Sequence, residues 1–232
     1  KENNYFPEVA RWYNVASLLL DPYDERTMRE IYKEYLVHVF KYPNNGGDFN
    51  AEDMPKKEGM GMGFFIPYQG KWFVALCAHE VADGLRFETL AGHEFSTSFI
   101  ASGNNELDIA LYRVEKESHR WERTVPNEIL SFRQNDRKNS IAGYCIGRTT
   151  DGYLKEFENC SIAATDEKPK KEYNYLHVSN ESKKVFVGMS GTCMMDMVRR
   201  CIIGMVCEVN ATHNNIALMP IEHIWKFIEQ TI

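Results

Sequence analysis

From residue 59 to residue 220 the chain is a succession of short apolar or alternating runs broken by Gly, Asn, Asp and Pro, and this punctuation restricts the fold more than any other feature. The runs are Gly63 to Tyr68, Trp72 to Ala78, Arg86 to Ala91, Asp108 to Val114, Ile141 to Gly147, Leu154 to Ala164, Tyr173 to Val178, Gly191 to Met197, Cys201 to Glu208 and Ile216 to Pro220. Strands this brief and this often interrupted predict a mostly β barrel or sandwich and not a βαβ sheet. A length of 232 residues with 44% hydrophobic content supplies core for one catalytic unit of this kind.

Helical patterns bracket the β region. Met28, Ile31, Tyr32, Tyr35, Leu36 and Val39 recur at spacings of three and four, which predicts an amphipathic helix over 24–41. Asp21 and Asp24 are its candidate caps, and Pro43 with Asn44-Asn45-Gly46-Gly47 is its stop. Ile221, Ile224, Trp225 and Ile228 predict a terminal helix after Pro220. The expected organisation is an N-terminal helical extension over 1–50 and a catalytic domain over 51–232, its halves near 59–125 and 135–220. The apolar face of the first helix has to be covered by the catalytic domain or by a neighbour in a longer parent chain, such as a sensor domain.

A formal charge of -6 gives no polybasic field for phosphate backbones, so nucleic acid is not an expected partner. No run approaches the roughly 18 to 20 apolar residues that span a bilayer, so no membrane role is expected. The six cysteines, at 77, 145, 160, 193, 201 and 207, sit largely in apolar runs and form no CxxC pair. They read as buried thiols in a reducing compartment, which makes a cytoplasmic location the expectation.

Three settings carry chemistry. His79 ends the apolar run Trp72 to Ala78, which puts an imidazole at a strand rim. Asp108 opens the run Ile109-Ala110-Leu111, a costly place for a charge unless something accepts it. Ser190 lies in Gly188-Met189-Ser190-Gly191, where glycines permit a sharp turn and the amides of Gly188 and Ser190 can converge on a developing oxyanion.

With these segments in view the chain resembles the chymotrypsin-like serine proteases, which carry an Ala-Ala-His-like, an Asp-Ile-Ala-Leu-like and a Gly-x-Ser-Gly segment in this order. The resemblance runs from about Gly61 to the terminal helix. Gly61 to Ile66 followed by Gly70-Lys71-Trp72 is similar to the family's first strand pair, and Cys201 to Val206 to the strand lining its specificity pocket. The family implies a double six-stranded β-barrel with the site in the crevice between barrels, hydrolysing peptide bonds through an acyl-enzyme without cofactor or metal. His79 would be general base, Asp108 its orienting carboxylate and Ser190 the nucleophile. A protein or peptide is the implied substrate.

The chain departs from the secreted digestive members, which have Cys after the His and Asp before the Ser, where this sequence has Glu80 and Met189. It is closer to intracellular, bacterial and viral members. By position relative to Ser190, Lys184 falls near the pocket floor, Cys207, Glu208 and Val209 along one wall and His213 beyond it. A Lys or His there favours an acidic substrate side chain, whereas an inward Glu208 favours a basic one.

Two other classes fit parts of the pattern: a protease-fold binding or regulatory module without turnover, and an α/β-hydrolase esterase. The esterase is weakest, since its elbow needs Gly where Thr192 stands. Taken singly, the site residues have plainer readings as a turn serine, a structural histidine and a strand-start carboxylate. His38 is placed on the first helix face, and Met194, Met195 and Met197 in the core.

Overall fold

The computed structural model describes residues 25–42, 57–103, 107–116, 124–126, 130–132, 142–149, 152–161, 174–177, 188–210 and 215–232. The predicted pieces over 1–24 and 43–50 lie outside them.

Helix α1 (Glu25–Tyr35) leads directly into β1 (Leu36–Lys41). The first sheet then collects β2 (Glu58–Tyr68), β3 (Lys71–Leu76), β4 (Arg86–Thr89), β5 (Glu94–Phe95), β6 (Thr97–Ser102) and β7 (Ala110–Val114). Its order is β5-β4-β1-β2-β3-β7-β6, antiparallel throughout. Gln69 and Gly70, with φ of 47° and 73°, join β2 to β3 in the doubly left-handed turn that matches hairpin twist.

The second sheet holds β9 (Ala142–Arg148), β10 (Leu154–Ser161), β11 (Asn174–His177), β12 (Cys193–Asp196), β13 (Cys201–Asn210) and β14 (Asn215–Pro220) in the order β10-β9-β12-β13-β14-β11. The short β8 (Ser131–Phe132) pairs in parallel with β13. Each sheet thus has seven described strands where six were expected, the surplus coming from the two-residue β5 and β8.

The predicted first helix is corrected in its second half. It ends at Tyr35, and Leu36 to Phe40 run as a fully buried strand between β4 and β2. Apolar residues here fit the three-four spacing of a helix, but Val37, Val39 and Phe40 fit a strand covered on both faces equally well. His38 accordingly sits in a strand and is buried, not on a helix face. The first sheet therefore recruits chain from within the segment expected as an extension.

One apolar cluster joins α1, both sheets and the terminal helix α2 (Ile221–Thr231), while a smaller one lies within the second sheet. Tyr32 and Tyr35 of α1 are fully buried, and Ile221, Ile224 and Ile228 are the inner face of α2. Trp225 reaches from α2 to Tyr68 of the first sheet and Phe132 beside the second, with ring centroids 5.8 and 5.7 Å away. Met194 and Met195 are core, as expected. Cys77, Cys145, Cys193, Cys201 and Cys207 are buried thiols. Among the described residues no helix is long and apolar enough to cross a membrane.

Candidate active site

Register brings the first two site residues together. β3 and β7 pair antiparallel with Leu76 opposite Ala110, so the residues just past the end of β3 and just before β7 share one rim. His79 lies there in a 3-10 turn, Ala78–Glu80, closed by Glu80 N to Cys77 O at 3.1 Å and Val81 N to Ala78 O at 3.1 Å. His79 Nδ1 is 2.7 Å from Asp108 Oδ2, and the His79 amide donates to Asp108 Oδ1 at 3.0 Å. A carboxylate only accepts, so the proton is on Nδ1 and the Nε2 lone pair faces outward. The imidazole is 52% exposed and the carboxylate 12%: the base is open and its partner sheltered.

Ser190 comes from the second sheet. The loop before β12 turns at Gly188 (φ 108°) and Gly191 (φ 78°). Gly191 N donates to Val206 O at 2.8 Å, Thr192 N to Met189 O at 3.2 Å, and Arg148 N to Gly188 O at 2.9 Å. The amides of Gly188 and Ser190 donate to no described residue. Tyr32 of α1 braces this loop from behind, its hydroxyl 2.5 Å from Cys193 O and 3.4 Å from Thr192 Oγ1. Gly191 is obligatory on two counts: its φ is left-handed, and a Cβ there would stand 1.7 Å from Met62 O.

His79, Gly188 and Ser190 line one cleft of about 340 Å³, together with His38, Gly59, Met60, Gly61, Glu80 and Arg148. His79 and Ser190 share its walls and do not hydrogen-bond to each other; such contacts are often long before substrate binds. Of the expected specificity residues, Cys207 turns its thiol inward, 3.9 Å from Asp108 O, while Glu208 is exposed and Val209 half-buried. Lys184 and His213 lie outside the described residues.

Cys77 also approaches the dyad, its donor atom and those of His79 and Asp108 lying within 4.8 Å of one another. Burial and then Cys207 push this thiol well up, it donates to Val206 O at 3.4 Å, and both Asp108 oxygens are engaged by His79. The group is suited to a hydrogen-bonded dyad, not to a metal.

Glu80 was visible in the sequence only as a departure from the resembled family, and His38 only as a helix residue. The structure buries both against the cleft. Burial first, then the charge of Asp108, raises Glu80 well above the ordinary carboxylate range, against a backbone hydrogen bond from Cys77.

No family model matches the sequence, and neither does any curated protein. Solved structures do match. The HtrA-type protease AlgW with a decapeptide aligns with 90% of this chain at a TM-score of 0.67 and 11% identity. This chain has the chymotrypsin-like serine protease fold. A serine-to-alanine variant of AlgW, also with a decapeptide, aligns with 89% at a TM-score of 0.63 and 11% identity. The match spans about two thirds of each of those chains, 67% and 66%. In the chymotrypsin-like fold the two sheets are the two barrels, and the cleft with His79 and Ser190 draws its walls from both.

Proposed function

We propose that this chain is a serine endopeptidase acting through an acyl-enzyme on Ser190. The observation that carries the reading is the His79–Asp108 hydrogen bond of 2.7 Å at the rim of a cleft that also holds Ser190. Ser190 Oγ attacks the scissile carbonyl carbon while His79 Nε2 takes its proton. Asp108 keeps the ring in the tautomer that makes Nε2 the acceptor and stabilises the imidazolium. The amides of Gly188 and Ser190 receive the oxyanion; that neither donates to a described residue leaves both for that purpose. His79 then returns its proton to the leaving amine as the C–N bond breaks. Water, deprotonated by the same imidazole, attacks the ester and releases the acid with Ser190 restored.

The decapeptide in the AlgW structures supports a peptide or protein as substrate. The buried thiols support a reducing, cytoplasmic setting. AlgW extends beyond the matched region, which supports further domains in a longer parent chain. A second reading, a binding module without turnover, is favoured by one observation, the lack of a Ser190–His79 hydrogen bond. Incubating wild type and Ser190→Ala with a proteome-derived peptide library and reading new termini by mass spectrometry separates the two. Cleavage by wild type with a loss of about a million-fold in Ser190→Ala is the expected result. Peptide capture without new termini sinks the endopeptidase reading.

A further inference from the structure

Two side chains of the cleft are buried beyond nine tenths and carry a polar atom with no partner among the described residues: Glu80 Oε2 and His38 Nε2, in residues 6% and 2% exposed. Native proteins leave few such atoms, and each asks for an explanation. Both lie behind β2 where it has no side chain. A Cβ on Gly59 would come 3.4 Å from His38 Nε2, and one on Gly61 would come 2.1 Å from Glu80 Oε1. Between these glycines the β1–β2 pairing slips by one residue, with Val39 opposite Gly61 and Phe40 opposite Gly59, so Met60 is bulged. β2 thus lacks a side chain at both points, and at each a polar group with one unpartnered atom packs against its bare backbone.

The chemistry of the two atoms agrees. Glu88 Oε1 lies 2.7 Å from His38 Nδ1 and holds the proton there, so Nε2 is an acceptor. Glu88 is itself paired with Lys57, and burial lowers the affinity of the His38 ring for a proton against the hydrogen bond and charge of Glu88, with the charges of Arg148 and Lys57 acting in the same direction as burial. Beside Gly61, Glu80 faces Asp108 and the Cys77 amide, and no cation is among the groups that shift it. Among the described residues Arg148 is the one arginine or lysine in the cleft wall, and its guanidinium lies 3.6 Å from where a Gly152 Cβ would be, at the β9–β10 turn. The floor therefore holds an imidazole acceptor at the His38 end and, at the other, a carboxyl beside the Asp108 carboxylate.

The cleft also lies on a definite side of the nucleophile. Its described walls come from β1, β2, the His79–Glu80 turn, Arg148, Gly188 and Ser190, and among the described residues include none of β13, along which the acyl-side pocket is expected. The amine expelled from the acyl-enzyme takes its proton from His79 and leaves on that same side.

We infer that this cleft is a recognition site for a basic side chain, lysine or arginine, on the residue that follows the scissile bond, with Glu80 as its counter-carboxylate and His38 Nε2 as a second acceptor. The inference rests on the endopeptidase reading for its place in the reaction, not for the binding itself. An entering ammonium supplies the charge that burial denies Glu80, which gives up its proton to solvent as the pair forms.

The test uses two peptides identical except for lysine or norleucine after the scissile bond, the second having the chain length without the charge. Wild type should cleave the lysine peptide with kcat/KM higher by about tenfold or more. The preference should fall to about unity in Glu80→Gln and shrink in Gly59→Ala, whose methyl group covers His38. Equal kcat/KM for both peptides in wild type, or an undiminished preference in Glu80→Gln, overturns the inference. Should Glu80→Gln fail to fold, the wild-type comparison and Gly59→Ala decide. A fluorophosphonate label separates the two readings: labelled Ser190 with no lysine preference rejects the site and keeps the triad. If no label is taken up, fluorescence anisotropy of the two peptides on Ser190→Ala decides, and equal affinities reject the site.

Discussion

His79 and Asp108 stand just past the ends of adjacent strands of one sheet, 29 positions apart and joined by two hydrogen bonds, whereas Ser190 is held by a loop whose supports come from across the molecule. Val206 of β13, Arg148 of β9 and Tyr32 of α1 each fix one part of that loop, and Met62 of β2 packs against its glycine. The first half of the site is built by local register; the second depends on the docking of four other elements. Damage to the dyad should therefore remove activity while leaving the fold intact, and damage to the serine loop should cost both.

Asp108→Asn is the sharpest form of the first case. It keeps the volume but lets the ring adopt the wrong tautomer, so kcat should fall about 10⁴-fold with the melting temperature nearly unchanged. A matching drop in stability would show that the dyad also carries structural weight. Gly191→Ala is the second case. The methyl group meets the Met62 carbonyl in a left-handed residue, and a stability loss of about 3 kcal/mol should accompany loss of activity in denaturant titrations. An active, stable Gly191→Ala would break the contrast between the halves.

Glu80 bridges the halves, between Gly61 of the first sheet and Gly191 of the second. Its affinity for a proton is raised on folding, so its contribution is fully present below the unfolded carboxylate range and is lost as pH rises through the folded value. Glu80→Gln cannot ionise. Its melting temperature relative to wild type should climb from acidic to alkaline pH, and a difference that is flat with pH would contradict the burial argument. The smallest effect is expected for Tyr32→Phe, which removes one hydroxyl from Cys193 O and should cost about 1 kcal/mol with slower Ser190 acylation. Unaltered acylation would confine α1 to a packing role.

Much of this was readable in the chain. β2 to β4, β7, β9 to β14 and α2 fall where apolar alternation and turn residues put them, because those strands are long enough to show a period. β5 and β8 have two residues each and carry no period, and β6 mixes Thr and Ser with half-exposed Phe99 and Ile100. The helix-to-strand change at Tyr35 was hidden because buried apolar residues satisfy both spacings. The dyad was legible from two strand ends and their resemblance. The placing of Glu80 and His38 against the cleft was not, since the glycines they pack on are brought there by strand pairing and by the docking of the second sheet.

Acyl transfer on Ser190 requires its convergence with the imidazole and two amides, and covalent labelling reads this directly. Wild-type protein treated with a fluorescent fluorophosphonate should gain one adduct, mapped by tandem mass spectrometry to Ser190, and His79→Ala should suppress it at least a thousandfold in rate, on the order of a lost general base. An adduct on another residue, or equal labelling of wild type and His79→Ala, would contradict the account.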